Sequence, residues 1–167
     1  MNIENHINPY TKELANSIYQ SLFLSEQEAL SSEPGTLQKI ILEIMLEGGL
    51  DTMAIYLDGS IKYINHSGRI SLLGSPNKLS SKCTRILKIP SAHDYKKITK
   101  IESLPKSGLS RITIFTENEA KTIVGDIVSL SKNQNTKELL FLCAILLHDI
   151  VALIEKSEPT TCINKRV

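Results

Sequence analysis

Residues 52–65 decide the fold, and their sequence is TMAIYLDGSIKYIN. Two apolar segments of this stretch flank the dipeptide Asp58-Gly59, which favours a tight two-residue turn between antiparallel strands. After the turn, Ile61 and Tyr63 lie on one side of the chain and Lys62 on the other, as in a strand with one buried face. The stretch therefore predicts a β-hairpin.

Further segments with the composition of strands follow the hairpin. Because short turns join neighbouring strands, we expect antiparallel pairing; parallel strands need crossovers of a dozen or more residues. The predicted strands are residues 52–57, 60–65, 69–73, 109–116 and 121–125. They indicate a sheet of about five strands.

Apolar residues at helical spacing predict helices before, between and after these strands. The second helix would carry its apolar residues on one side and end at Gly48-Gly49. The last would begin with Asn135-Thr136-Lys137-Glu138, which has the arrangement of a capping box. The predicted helices are residues 9–24, 36–47, 77–89 and 135–157.

This order of elements predicts a single α+β domain over residues 1–157, an antiparallel sheet with N- and C-terminal helices packed on it. The length of 167 residues fits one domain that buries a core without disulfides or a structural metal. We expect a disordered tail at residues 158–167. The polar stretch 91–107 receives no assigned element.

The hairpin sequence Leu57–Arg69 contains the pattern D-G-S-x-x-Y-x-N-x-S-G. It resembles a family of uncharacterised bacterial α+β domains, and residues 108–116 and the last helix are similar in order. The order of elements also resembles that of the profilin, roadblock, longin and GAF domains. The resemblance implies a small sensor or platform domain and supplies no catalytic residue.

Charge and hydropathy exclude two classes of partner. Nineteen basic and eighteen acidic residues leave a net charge of +1, so no overall field attracts nucleic acid or an anionic membrane. The longest apolar run, Leu139–Leu147, is much shorter than the roughly 20 residues that cross a bilayer. We therefore expect neither a nucleic-acid partner nor a membrane span.

The cysteines and the N-terminus favour a cytoplasmic location. Cys83, Cys143 and Cys162 form no C-x-x-C pair, and their number and spacing fit a reducing compartment. Residues 1–8 lack the organisation of a signal peptide. Export of the protein as an effector stays open.

The turn after the hairpin carries the candidate ligand or partner contacts. They are Tyr63, Asn65, His66 and Ser67. A histidine in a loop can act as a general base and a serine as a nucleophile, but no nucleophile-elbow sequence surrounds Ser67. Asn, Ser and Gly also suit a turn for geometric reasons alone, so both interpretations stay open.

No cofactor and no metal site are predicted. The pairs His93-Asp94 and His148-Asp149 resemble those of His-Asp phosphohydrolases. Such enzymes need an all-helical bundle, which the strand-rich middle of this chain disfavours.

The last helix carries apolar residues around most of its circumference, more than one core-facing stripe requires. Either it is sandwiched within the monomer, or its outer side packs on another subunit. The candidate interface residues are Phe141, Ile145, Leu146 and Leu153.

These observations favour a non-catalytic interaction or regulatory module whose partner is another protein or a second copy in a homodimer. The alternative is a small hydrolase or ligand-sensing domain that uses His66 and neighbouring turn residues. No residue is assigned a catalytic role.

Overall fold

The computed structural model describes residues 22, 37–46, 49–66, 70–74, 79–89, 95–98, 105–106, 108–117 and 119–157. The predicted tail at 158–167 lies outside these residues, and so does all of the predicted helix 9–24 except Leu22. Leu22 itself is helical and fully buried.

The fold is α+β, as predicted, and the described strands form one antiparallel sheet. The sheet has seven strands rather than about five, in the order β4-β3-β2-β1-β6-β7-β5. The strands are β1 (Leu37–Leu46), β2 (Gly49–Tyr56), β3 (Ile61–Ile64), β4 (Ile70–Leu73), β5 (Lys96–Ile98), β6 (Ser110–Thr116) and β7 (Ala120–Gly125). The described helices are α1 (Ser80–Leu87), α2 (Ile127–Leu130) and α3 (Gln134–Ser157).

The predicted helix at 36–47 is wrong, because this segment forms β1, the central strand of the sheet. Ile40 and Leu42 face one side of the sheet and Ile41 faces the other, and all three are buried. A strand buried on both faces has a nearly continuous apolar sequence, so the alternation that identifies half-buried strands is missing. Strand β1 pairs with β2 over Lys39–Leu46 and with β6 over Leu37–Glu43, so its central residues are paired along both edges.

The meander of β2, β3 and β4 is confirmed, but its first turn is longer than predicted. Four residues, 57–60, separate β2 from β3. The N–H of Gly59 donates to the Tyr56 carbonyl at 2.9 Å, and the N–H of Ser60 donates to Asp58 Oδ1 at 2.8 Å. Gly59 has a φ of +80°, which a residue with a side chain adopts at a cost.

The unassigned stretch 91–107 contains the edge strand β5, which pairs with β7. Lys96 and Lys97 are exposed, and Lys97 Nζ lies 3.5 Å from Glu119 Oε2. Exposed lysines on an edge strand oppose pairing with further chains.

The first face of the sheet packs against α1 and α3. The main core cluster on this face includes Ile40, Leu42, Met53, Ile55, Ile61, Tyr63, Cys83, Ile86, Ile112, Leu139, Leu142, Cys143, Leu146 and Ile150. Cys83 and Cys143 are buried in this core, and burial raises the pKa of both thiols, that of Cys143 to about 12.

Helix α3 is confirmed, but its N-terminal cap is Asn133 rather than Asn135. Asn133 Oδ1 accepts hydrogen bonds from the N–H groups of Asn135 at 3.0 Å and Thr136 at 3.1 Å. These are two of the backbone donors that the first turn of a helix leaves without partners. Glu138 pairs instead with Arg85 of α1.

Candidate functional site

A buried carboxylate stands at one end of the first face. Asp51 belongs to β2 and is 5% exposed. It pairs in register with Ile44 of the central strand and lies on the same face as Met53. A charged group at this depth is stable only when hydrogen bonds replace its water.

Three donors surround the Asp51 carboxylate. The hydroxyl of Tyr63 donates to Oδ2 at 2.5 Å. The backbone N–H of His66 donates to Oδ1 at 2.8 Å, and His66 Nδ1 lies 2.9 Å from the same oxygen. We call these three residues the Asp51–Tyr63–His66 cluster.

The strand register explains why the cluster forms. Tyr63 pairs with Met53 across β2 and β3, so it is a diagonal neighbour of Asp51 on the same face. Strand β3 ends at Ile64, and the turn that follows brings His66 back toward the start of β2.

Gly49 makes room for the histidine. Its φ is +137°, and a Cβ built at this position would lie 2.9 Å from His66 Cβ. Any other residue would therefore combine backbone strain with a close contact against His66. Glycine at this position is therefore required both by the backbone φ and by the histidine beside it.

The hydrogen-bond geometry selects one tautomer of the neutral His66 ring. An ionised carboxylate only accepts hydrogen bonds, so the neutral ring that donates to it carries its proton on Nδ1 and its lone pair on Nε2. Burial, and then the hydrogen bond to Asp51, raise the pKa of Tyr63 well above its usual value, so its hydroxyl stays a donor. The His66 side chain is 42% exposed, which leaves the imidazole accessible from solvent.

The structure brings two of the four predicted contact residues, Tyr63 and His66, into one cluster. Asn65, which lies between Tyr63 and His66 in the sequence, is half-buried. Ser67 lies outside the described residues. Asp51 was missed by sequence reasoning. The sequence feature that could have identified Asp51 is its position directly before the apolar strand segment that starts at Thr52. A carboxylate buried at such a position needs hydrogen-bond partners.

The cluster has the elements of a histidine–carboxylate pair, in which the carboxylate orients the ring and stabilises a positive charge on it. Such a pair can accept a proton from a bound molecule or attack an electrophile through Nε2. Among the described side chains, no group of three potential metal ligands occurs.

The second candidate surface is the outer side of α3. Phe141 is 64% exposed, whereas Leu146 is fully buried in the core of the chain. Ile145 and Leu153 are half-buried, and Leu153 packs against the main core cluster. Of the four predicted interface residues, Phe141 therefore lies on the surface and Leu146 lies within the monomer.

The exposed side chains of α3 follow a regular spacing. Lys137, Phe141, Ala144, His148 and Val151 are all exposed and are separated alternately by four and three residues. We call this set the α3 stripe. The spacing matches the a and d positions of a heptad, which lie along one side of a helix.

No protein-family model matches the chain, and a search of curated proteins found no significant match. The resemblance suggested by the hairpin sequence stays a prediction. No helix within the described part of the chain is both long and apolar enough to cross a membrane.

Proposed function

We propose that the protein is a non-catalytic interaction module that self-associates through the α3 stripe. The observation that carries this proposal is the 64% exposure of Phe141 on a helix whose opposite side is packed in the core. An exposed aromatic ring costs free energy in water, and burial against a second copy would recover it.

An antiparallel pair of α3 helices fits the stripe. A two-fold axis beside position 146 places Phe141 opposite Val151 of the second copy and Ala144 opposite His148. The apolar side chains of Phe141 and Val151 therefore meet on either side of a central pair formed by Ala144 and His148.

A parallel pair is less favourable. It would place Lys137 of one copy beside Lys137 of the other, which adds repulsion between like charges. The small side chain of Ala144 permits close approach of the two helices in the antiparallel arrangement. These features support a symmetric dimer rather than an open chain of subunits.

Light scattering on the purified chain tests the proposal. We expect twice the chain mass of 18.6 kDa for the wild type. Phe141→Glu should weaken association by roughly thirtyfold or more, because it removes a central aromatic anchor and buries a charge. Val128→Glu is the matched control, since Val128 is 74% exposed on α2 and lies off the stripe.

A monomeric wild type at millimolar concentration would contradict the proposal, as would equal weakening by the two variants. Equal weakening would mean that added charge, rather than loss of the Phe141 contact, separates the subunits.

A second candidate function, a small hydrolase or ligand-sensing site, is favoured by the Asp51–Tyr63–His66 cluster. The hydrogen bond between His66 Nδ1 and Asp51 provides the oriented imidazole that such a site requires. Hydrolysis of an activated ester such as p-nitrophenyl acetate is the test. Loss of multiple turnover in His66→Gln, with turnover retained in His148→Gln, would support the hydrolase; wild-type protein without turnover would exclude it.

A further inference from the structure

We propose that Nε2 of His66 accepts a phosphoryl group from a donor with a P–N bond, so that His66 is a site of phosphorylation. The proposal is independent of self-association through α3. It rests on the same histidine as the second candidate function, but it predicts a stoichiometric modification rather than turnover.

The first argument is the position of the proton. Nδ1 of His66 lies 2.9 Å from Asp51 Oδ1, and in the neutral tautomer that donates to an ionised carboxylate the lone pair resides on Nε2, on the far side of the ring. The neutral imidazole is the nucleophilic form, and this tautomer directs the nucleophilic nitrogen away from the buried Asp51. The 42% exposure of the side chain leaves the ring approachable from outside.

The second argument is charge. When Nε2 attacks phosphorus, the N–P bond forms and the bond between phosphorus and the donor nitrogen breaks. The electron pair of that bond leaves with the donor nitrogen, which takes a proton from solvent. The ring keeps its Nδ1 proton and becomes positive, and the Asp51 carboxylate beside Nδ1 stabilises this charge.

The third argument is rigidity. Tyr63 and the backbone N–H of His66 both donate to Asp51, so the carboxylate is oriented before any reaction occurs. Gly49 permits the close approach of the His66 side chain to β2. A preorganised charge acts without a reorganisation cost when the reaction begins.

His148 supplies an internal control. It is 84% exposed, and its Nδ1 lies 3.8 Å from Asp149 Oδ1, beyond hydrogen-bond distance. If accessibility alone controls reactivity, His148 reacts faster than His66. If the buried carboxylate controls reactivity, His66 reacts faster.

The experiment uses the full chain at a concentration at which light scattering shows a monomer, so that His148 on the α3 stripe stays exposed. The chain is treated with potassium phosphoramidate at neutral pH, followed by intact mass measurement, peptide mapping and phosphorus NMR. We expect one acid-labile phosphoryl group on His66, formed roughly tenfold faster than that on His148. A factor of about ten in rate is what one charge-assisted hydrogen bond contributes when it stabilises the positive ring. Asp51→Asn should remove most of this difference and leave the rate at His148 unchanged.

Two results would overturn the proposal: His66 reacting no faster than His148 in the wild type, or Asp51→Asn leaving the His66 rate unaltered in folded protein. The wild-type comparison needs no variant, so it stands even if Asp51→Asn does not fold. Rapid release of phosphate with multiple turnover would also overturn it, and would indicate a hydrolytic centre.

Discussion

At the scale of single residues, Asp51 shows how one buried carboxylate positions a histidine on a turn. Its two oxygens accept from Tyr63 in the neighbouring strand and from two nitrogens of His66. The arrangement works only because Gly49 presents no side chain toward His66. Sequence analysis identifies His66 from its turn, but the partner that determines its chemistry is 15 residues away.

Gly49→Ala should lower the free energy of unfolding by about 1–3 kcal/mol, because a φ of +137° is strained for alanine and the new Cβ meets His66. Urea unfolding measures this change.

Substitutions at two other glycines, Gly108 and Gly74, measure the cost of backbone strain separately from the cost of the contact with His66. Gly108→Ala carries strain at a φ of +80° with nothing within 4 Å of the new Cβ, so it should cost about 1 kcal/mol. Gly74→Ala introduces neither backbone strain nor a close contact, so it should change the free energy of unfolding by less than about 0.5 kcal/mol. A loss for Gly49→Ala no larger than that for Gly108→Ala would mean that the His66 contact relaxes freely.

At the scale of elements, two ion pairs connect α1 to α3. Lys82 Nζ donates to Asp149 Oδ2, and Arg85 Nη2 donates to Glu138 Oε1 at 3.1 Å. Asp149 and Glu138 of α3 are therefore partners of α1. The hydrogen bond from Lys82 holds the pKa of Asp149 below its usual value of 3.8.

Lys82→Met should return the pKa of Asp149 toward 3.8 and lower stability at pH 7 by less than about 1 kcal/mol, since both groups are partly exposed. Because the folded-state pKa is lowered, this stabilisation is present above 3.8 and is lost as the pH falls through the folded-state value. NMR titration of the carboxylate and urea unfolding at pH 7 and pH 2 measure the two effects.

Lys88→Met is the matched control, because Lys88 is exposed beside the C-terminus of α1 and has no ion pair in the described structure. It should leave the pKa of Asp149 unchanged. If Lys82→Met also leaves it unchanged, the pair between the helices does not persist in solution.

The element that sequence analysis assigns wrongly is β1. Its apolar residues match a helical period as well as a strand, because Ile40, Ile41 and Leu42 are consecutive and all buried. Periodicity reports which side of an element is exposed, and β1 has no exposed side in its middle. The strand β2 is also buried on both faces, and it was predicted correctly because the Asp58-Gly59 turn follows it in the sequence.

At the scale of the whole molecule, the sheet separates two different interiors. The first face is an apolar core closed by α1 and α3. The second face combines Ile41, Ala54 and Ile64, against which Leu22 packs, with a buried ion pair. Arg111 donates to both oxygens of Glu43, at 2.5 Å and 2.8 Å, and joins β6 to the central strand.

This division places the two proposed surfaces on different elements. The α3 stripe lies on the outer side of the helix that covers the first face, whereas His66 lies on the turn that follows β3. Changes at Phe141 and changes at His66 can therefore be interpreted separately, and the tests of self-association and of phosphorylation fail independently.

The sequence by itself determined the α+β class, the meander of β2 to β4, the strands β6 and β7, and the helices α1 and α3. Each depends on neighbours in the chain: turn residues, alternation and helical spacing are local properties. Only the tertiary structure decided that residues 37–46 form the central strand, that Asp51 binds His66, and that Phe141 stays exposed while Leu146 is buried. These outcomes depend on pairing and packing between segments distant in sequence, whose free energies no local pattern contains.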